Sequence, residues 1–189
     1  MDKFEKNPFL IIHPYEKEMN AEILCLITSR INNNAFYTEK CVKYILQQIS
    51  NHNFVTGYTE NLIKQFRKKP CVNLEEKKRY HINTRQKINK TFFDLLTEEG
   101  KHQGYVLSDL RNIIYSSKSK ILNKYHLFEL KSLDIKEVEI SCCEDDNTCM
   151  NRKKYCNRRY LIDEVPELPL EGCTAGFCVG SYLPVINFD

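Results

Sequence analysis

Six of the chain's nine cysteines fall between positions 142 and 178, at Cys142, Cys143, Cys149, Cys156, Cys173 and Cys178. Only Cys25, Cys41 and Cys71 precede them. The stretch reads CCEDDNTCMNRKKYCNRRYLIDEVPELPLEGCTAGFC. A segment so short and so rich in turns buries too little apolar surface to hold itself together. Thiols at this density supply the missing constraint, either as metal ligands or as crosslinks. The rest of the chain then reads as a helical platform for this unit.

Zinc takes four soft or borderline ligands in a tetrahedron, and structural sites bring them as two close pairs. Cys173 and Cys178 make one pair, with Gly176 easing the turn between them. Cys149 with Cys156, or Cys143 with Cys149, makes the other at wider spacing. The expected ligands are therefore Cys149, Cys156, Cys173 and Cys178, with Cys143 as the alternative fourth. A metal-free version and a disulfide framework stay open beside this reading. Four cysteines on zinc leave no open coordination position, which argues against hydrolysis at the metal. Asp145-Asp146 and Asp163-Glu164 read as turn formers that balance Arg152, Lys153, Lys154, Arg158 and Arg159.

Which chemistry the thiols adopt depends on the compartment. Phe9 to Ile12 is too short an apolar run for a signal peptide, and Pro14 interrupts it. No apolar run approaches the roughly 20 residues of a membrane span. The expectation is a cytoplasmic protein, where thiols stay reduced and clustered cysteines favour metal. Lys and Arg total 28 against 25 Asp and Glu, a net charge of +3. That bias is too weak to imply a nucleic-acid partner without local clustering.

Six glycines and six prolines are few for 189 residues, and the patterning is helical. Residues 1–15 read as an irregular arm pinned by Phe4, Phe9, Leu10, Ile11 and Ile12, with His13 a surface turn residue. Asn20 caps a helix whose stripe is Ile23, Leu24, Ile27 and Ile31, and Asn32-Asn33-Asn34 ends it. Cys25 is expected in the core beside them. Thr38 caps a second helix with Cys41, Val42, Ile45, Leu46 and Ile49 on one face. Thr59 opens a third, carrying Leu62, Ile63 and Phe66, which Pro70 ends. Asn73 and Glu76 make a capping-box pair for a helix that runs through EEKKRYHINTRQKINK to Phe92, Phe93, Leu95 and Leu96, with Gly100 as its stop. Ser108 caps a further helix bearing Leu110, Ile113, Ile114, Ile121 and Leu122. Alternation at Val138, Glu139 and Ile140 then marks a half-buried strand. The expected class is mainly α (α+β): a helical domain over 1–134, then a cysteine-rich, zinc-knuckle-like module with short strands over 135–189.

Charge does cluster in one place. Lys64, Arg67, Lys68, Lys69, Lys77, Lys78, Arg79, Arg85, Lys87 and Lys90 are opposed only by Glu75 and Glu76. Tyr80 and His81 lie among them, a composition able to contact phosphates. Lys68, Lys69, Lys77, Lys78, Arg79 and Arg85 are the candidate nucleic-acid contacts. The bland alternative is a solvated helix face, because no nucleic-acid motif frames the charges.

Asp145, Asp146, Cys149, the run Tyr160-x-Ile162-Asp163-Glu164-x-Pro166, and Leu168-Pro169-Leu170-x-Gly172-Cys173 with Cys178 resemble the C-terminal cysteine-rich module of phage minor head proteins, the head-morphogenesis family. They also resemble a group of uncharacterised bacterial proteins with the same module. The likeness covers the last quarter to third of the chain. It implies a small zinc-knuckle-like fold used in assembly or nucleic-acid contact. The family pattern carries two further cysteines, at positions that Arg152 and Gly180 occupy here.

No P-loop, dinucleotide fingerprint, HExxH or nucleophile elbow is present. The leading expectation is a non-enzymatic binding or assembly protein with a protein partner and a C-terminal structural zinc module. The alternatives are a nucleic-acid-binding protein acting through the basic face around 64–90, and an enzyme with a reactive cysteine at Cys71 or Cys156.

Overall fold

The computed structural model describes residues 13–141, 152–170 and 180–186, with the backbone alone at 152 and 153. Two long helices frame it. Helix α1, Glu16–Asn32, carries Met19, Ile23, Ile27 and Ile31 at a repeat of four, and all four are buried. Each such side chain contributes about 1.5–3 kcal/mol by leaving water. Its partner is α7, Val106–Ser132, with Val106, Leu107, Leu110, Ile114 and Ile121 buried. The cross-links fix their sense: Arg30 reaches Ser117, Glu22 pairs with Lys124 and accepts from Tyr125, and His13 pairs with Glu129. The two helices therefore run antiparallel. His13 is thus a link to α7, not a free turn residue.

Cys25 is exposed, contrary to the expected core position. Two residues beyond Ile23, it is turned about 200° from that buried stripe. The helix also starts four residues before the expected cap at Asn20, where the acidic Glu16 and Glu18 suit the N-terminal dipole.

Helix α2, Glu39–Ile49, begins where expected: the Thr38 hydroxyl accepts from the Cys41 amide at 3.1 Å. Cys41 is buried, and desolvation pushes its thiol up to about 12. Helix α3, Thr59–Ile63, passes into a 3-10 turn, Lys64–Arg67, that buries Phe66.

The long basic helix expected after Asn73 does not form. The capping box is there, but α4 is only Leu74–Arg79. Helices α5, Lys90–Asp94, and α6, Glu98–His102, follow separately. Tyr80, Ile82 and Ile88 are all buried and do not share one helical face, so the chain must turn to bury them. Gly100 lies inside α6 and is not a stop. A Cβ there would stand 2.5 Å from the Phe36 carbonyl oxygen.

The strand expected around Val138 is β1, Glu137–Ser141, with Val138 and Ile140 fully buried. It is the centre of a three-stranded antiparallel sheet, flanked by β2, Arg159–Leu161, and β3, Ser181–Pro184. A short helix, α8, Arg152–Tyr155, precedes β2. A second core forms under the sheet from Val138, Ile140, Cys156, Ile162, Leu168, Leu170 and Tyr182. Leu127 and Leu130 of α7 join it, so this core draws on residues before position 135. The Tyr182 hydroxyl donates to the Pro166 carbonyl and accepts from the Leu168 amide, both at 2.9 Å. The Asn123 amide donates to the Gly180 carbonyl, tying β3 back to α7. Among the described residues no helix is long and apolar enough to cross a membrane.

Candidate functional site

The basic stretch folds into a pinned loop. Val72 donates to the Ile88 carbonyl at 2.9 Å, Lys90 to Pro70 at 2.7 Å and Asn89 to Phe66 at 2.7 Å, which lays 70–72 along 88–90. The Asn89 side chain is buried because it works in two directions. It donates to the Lys68 carbonyl and accepts from the Phe92 amide, so it ties this ladder to the cap of α5. Between these rails the chain leaves α4 through His81 at φ 54. It then forms a turn in which Gln86 donates to the Asn83 carbonyl, and Arg85 donates its amide to the Asn83 side chain.

Lys77 holds that turn. Only 9% exposed, it donates from Nζ to the Thr84 carbonyl at 2.9 Å. This corrects its place among the nucleic-acid contacts, because an ammonium committed to a backbone carbonyl inside the fold is not offered to a phosphate. Its position explains the commitment: Lys77 stands one helical turn before the buried Tyr80, on the inward face of α4. The remaining candidates, Lys68, Lys69, Lys78, Arg79 and Arg85, are exposed, as are Arg67 and Lys87. None of these seven has an ion-pair partner among the described residues. Glu76 is taken by Lys90, which also pairs with Asp94.

Beside this turn lies an open groove of about 940 Å³. The turn 81–86 forms one wall; the other runs from His102 at the end of α6 to Tyr105 and Ser108 at the start of α7. A Cβ on Gly104, at φ 64, would stand 3.8 Å from the His81 carbonyl oxygen. Among the described residues no Asp or Glu lines the groove. Of the six residues expected to contact nucleic acid, only Arg85 does so. Tyr80 lies beneath, buried edge-on against Phe93 and His102 with the Arg79 guanidinium over its ring. Tyr105 is the reverse, a tyrosine 74% exposed on the groove wall. The α7 wall is anchored from behind: Asp109 accepts from the Tyr37 hydroxyl at 2.8 Å and from the Asn34 amide at 3.1 Å. Burial, together with the neighbouring Asp109 carboxylate, raises the Tyr37 phenol well above its ordinary range, so it stays a donor.

His102 and Tyr105 escaped the sequence reading because they lie outside the charged run. Their signal was the HQGY segment, an aromatic next to a glycine between two helices.

Of the expected zinc ligands, Cys143, Cys149, Cys173 and Cys178 lie outside the described residues. Cys156 lies within them, nearly buried in the second core and disulfide-bonded. A sulfur in a disulfide has no thiolate to give to zinc or to use as a nucleophile, so in this state Cys156 is neither ligand nor reactive thiol. Cys71 is a free thiol whose Sγ donates to the Arg67 carbonyl at 3.6 Å and the Lys68 carbonyl at 3.8 Å. Among the described residues no histidine or carboxylate bonds to it, and no group of three or more His, Cys, Asp or Glu side chains is placed to hold a metal ion. Asp163 pairs with Lys131 of α7 at 2.6 Å, not with the arginines nearer in sequence. Asp145 and Asp146 lie outside the described residues. No family model, curated protein or solved structure matches the chain.

Proposed function

We propose that this chain is a non-enzymatic binding protein whose helical part engages nucleic acid. One observation carries the reading: seven exposed cations between Arg67 and Lys87 lack ion-pair partners among the described residues, and one of them, Arg85, lines a groove that has no carboxylate among its described lining residues. A cation already paired has little attraction left for a phosphate. Unpaired cations release the counterions condensed on a nucleic acid when they bind it. The pinned turn adds to this, because side chains mounted on a fixed backbone lose less freedom on binding.

The test is fluorescence anisotropy with a labelled oligonucleotide at about 50 mM and about 200 mM salt, where six or more phosphate contacts weaken affinity by about 10³-fold or more. The triple variant Lys68→Glu, Lys69→Glu, Lys78→Glu should abolish binding with the fold intact. Salt-independent binding, or an unaffected triple variant, would sink the proposal. Lys77 is left out because its replacement would disturb the turn itself.

A second reading, assembly with a protein partner, attaches to the C-terminal module and agrees with its resemblance to the phage minor head module. The observation that favours it is the outward face of the sheet. There Leu161 on β2 is 52% exposed and Leu183 on β3 is 47% exposed, either side of Glu137 and Glu139. Zinc in this module would fall to Cys149, Cys173, Cys178 and Cys143, and metal analysis of the purified protein with its Cys149→Ser and Cys173→Ser variants decides that point. Protein purified without zinc sinks the metal reading and leaves crosslinking as the device that holds the module.

A further inference from the structure

The groove between the turn 81–86 and the start of α7 says more than charge does. We infer that it binds single-stranded nucleic acid, with an unpaired base stacked on Tyr105 and a backbone phosphate on Arg85. The inference rests on the nucleic-acid reading and names the form of the ligand.

Surface cations alone serve a duplex as well as a single strand, since both present phosphates. An exposed aromatic ring does not. In a duplex the base faces are covered by their neighbours, so a tyrosine on a groove wall finds a π-face only on a strand whose bases are free. Tyr105 is the residue just before α7, and its side chain makes no cap hydrogen bond. It is 74% exposed, while the other tyrosine of this region, Tyr80, is buried. The fold thus uses one ring for packing and leaves the other on the groove wall. Arg85 lies on the opposite wall, its backbone fixed by the bond to the Asn83 side chain and the turn below it fixed by Lys77. A guanidinium on one wall and a ring on the other suit the alternation of phosphate and base along a strand. Asn83, Gln86 and Gln103 line the space between them with amides that can donate or accept. Among the described residues no carboxylate lines the groove to repel the backbone.

The experiment compares a labelled oligothymidylate of about 15 nucleotides with a duplex of the same length. Four proteins are used: wild type, Tyr105→Ala, Tyr105→Phe and Arg85→Ala. Circular dichroism confirms that each is folded. The single strand should bind wild type more tightly than the duplex. Tyr105→Ala should weaken single-strand binding by about tenfold or more without changing its salt slope, and Tyr105→Phe should restore it. Arg85→Ala should reduce the salt slope by about 0.7, the loss of one phosphate contact to a single strand. Tyr105→Ala binding the oligothymidylate as wild type does would overturn the inference. So would a duplex bound more tightly than the strand, although salt-dependent duplex binding would leave the broader nucleic-acid reading standing. Failure of both probes at about 50 mM salt would remove both readings. Polyglutamate displacing the strand equally from wild type and Tyr105→Ala would assign the groove to an acidic protein and also overturn the inference.

Discussion

Lys77 Nζ donates to the Thr84 carbonyl at 2.9 Å, so the one buried lysine of the basic stretch holds the turn that presents Arg85. Positive charge in this region therefore does two separate jobs. Replacing Lys77 by Met keeps the apolar stem and removes the bond, at a cost of about 0.5–1.5 kcal/mol because Thr84 is exposed and water can take over its carbonyl. Lys78→Met, one residue along and exposed, should leave the urea midpoint within error of wild type. Equal midpoints for the two variants would refute the distinction.

Tyr182→Phe isolates the hydroxyl that spans Leu168 and Pro166. The ring stays in the second core, but the Leu168 amide loses its acceptor in buried surroundings. The expected loss is about 1–3 kcal/mol, read by denaturant unfolding. Amide exchange should accelerate at Leu168 before it does in α1. A variant as stable as wild type would mean that another group takes over the bond.

His52 gives the chain a pH dependence on the acid side. Its Nε2 is buried without a hydrogen-bond partner among the described residues, and its ring packs edge-on against Phe54. Burial, and then the charge of Lys118, which donates to the Gly57 carbonyl, hold its pKa below the ordinary imidazole value. The folded state thus favours the neutral ring. The stability this confers is present above the unfolded pKa of about 6.5 and is lost as pH falls toward the lower folded value. The urea midpoint should fall between about pH 7.5 and about pH 5.5, and more gently in His52→Gln. An unchanged slope in the variant would assign the effect elsewhere.

Cys156 should resist alkylation in the folded, unreduced protein while Cys25 reacts. Reduction should then open Cys156 and loosen the module, with a loss of about 2–4 kcal/mol for the crosslink. Mass spectrometry of peptides after alkylation with and without reductant reads both. Ready alkylation of Cys156 without reductant would restore it as a candidate zinc ligand.

The local parts of this fold were legible in the sequence. The Ile23, Ile27, Ile31 repeat, the Thr38 cap, the Asn73–Glu76 box and the Val138–Ile140 alternation each depend on neighbours within a turn or a strand, and each is present. The basic stretch was misread for the opposite reason. Its charges suit a long helix, but the burial of Tyr80, Ile82 and Ile88 and the pairing of Val72 with Ile88 are not local properties. The groove was illegible on the same ground. Arg85 and Tyr105 stand twenty positions apart in sequence and share a site only because the chain folds back through α5 and α6.

Helix α7 has a consequence at a larger scale. Its 27 residues extend about 40 Å, with Tyr105 just before one end and Leu130, beneath the sheet, near the other. It is a beam clamped at both supports. One helix thus borders both the groove and the second core, with Tyr105 and Leu130 about 37 Å apart along its axis.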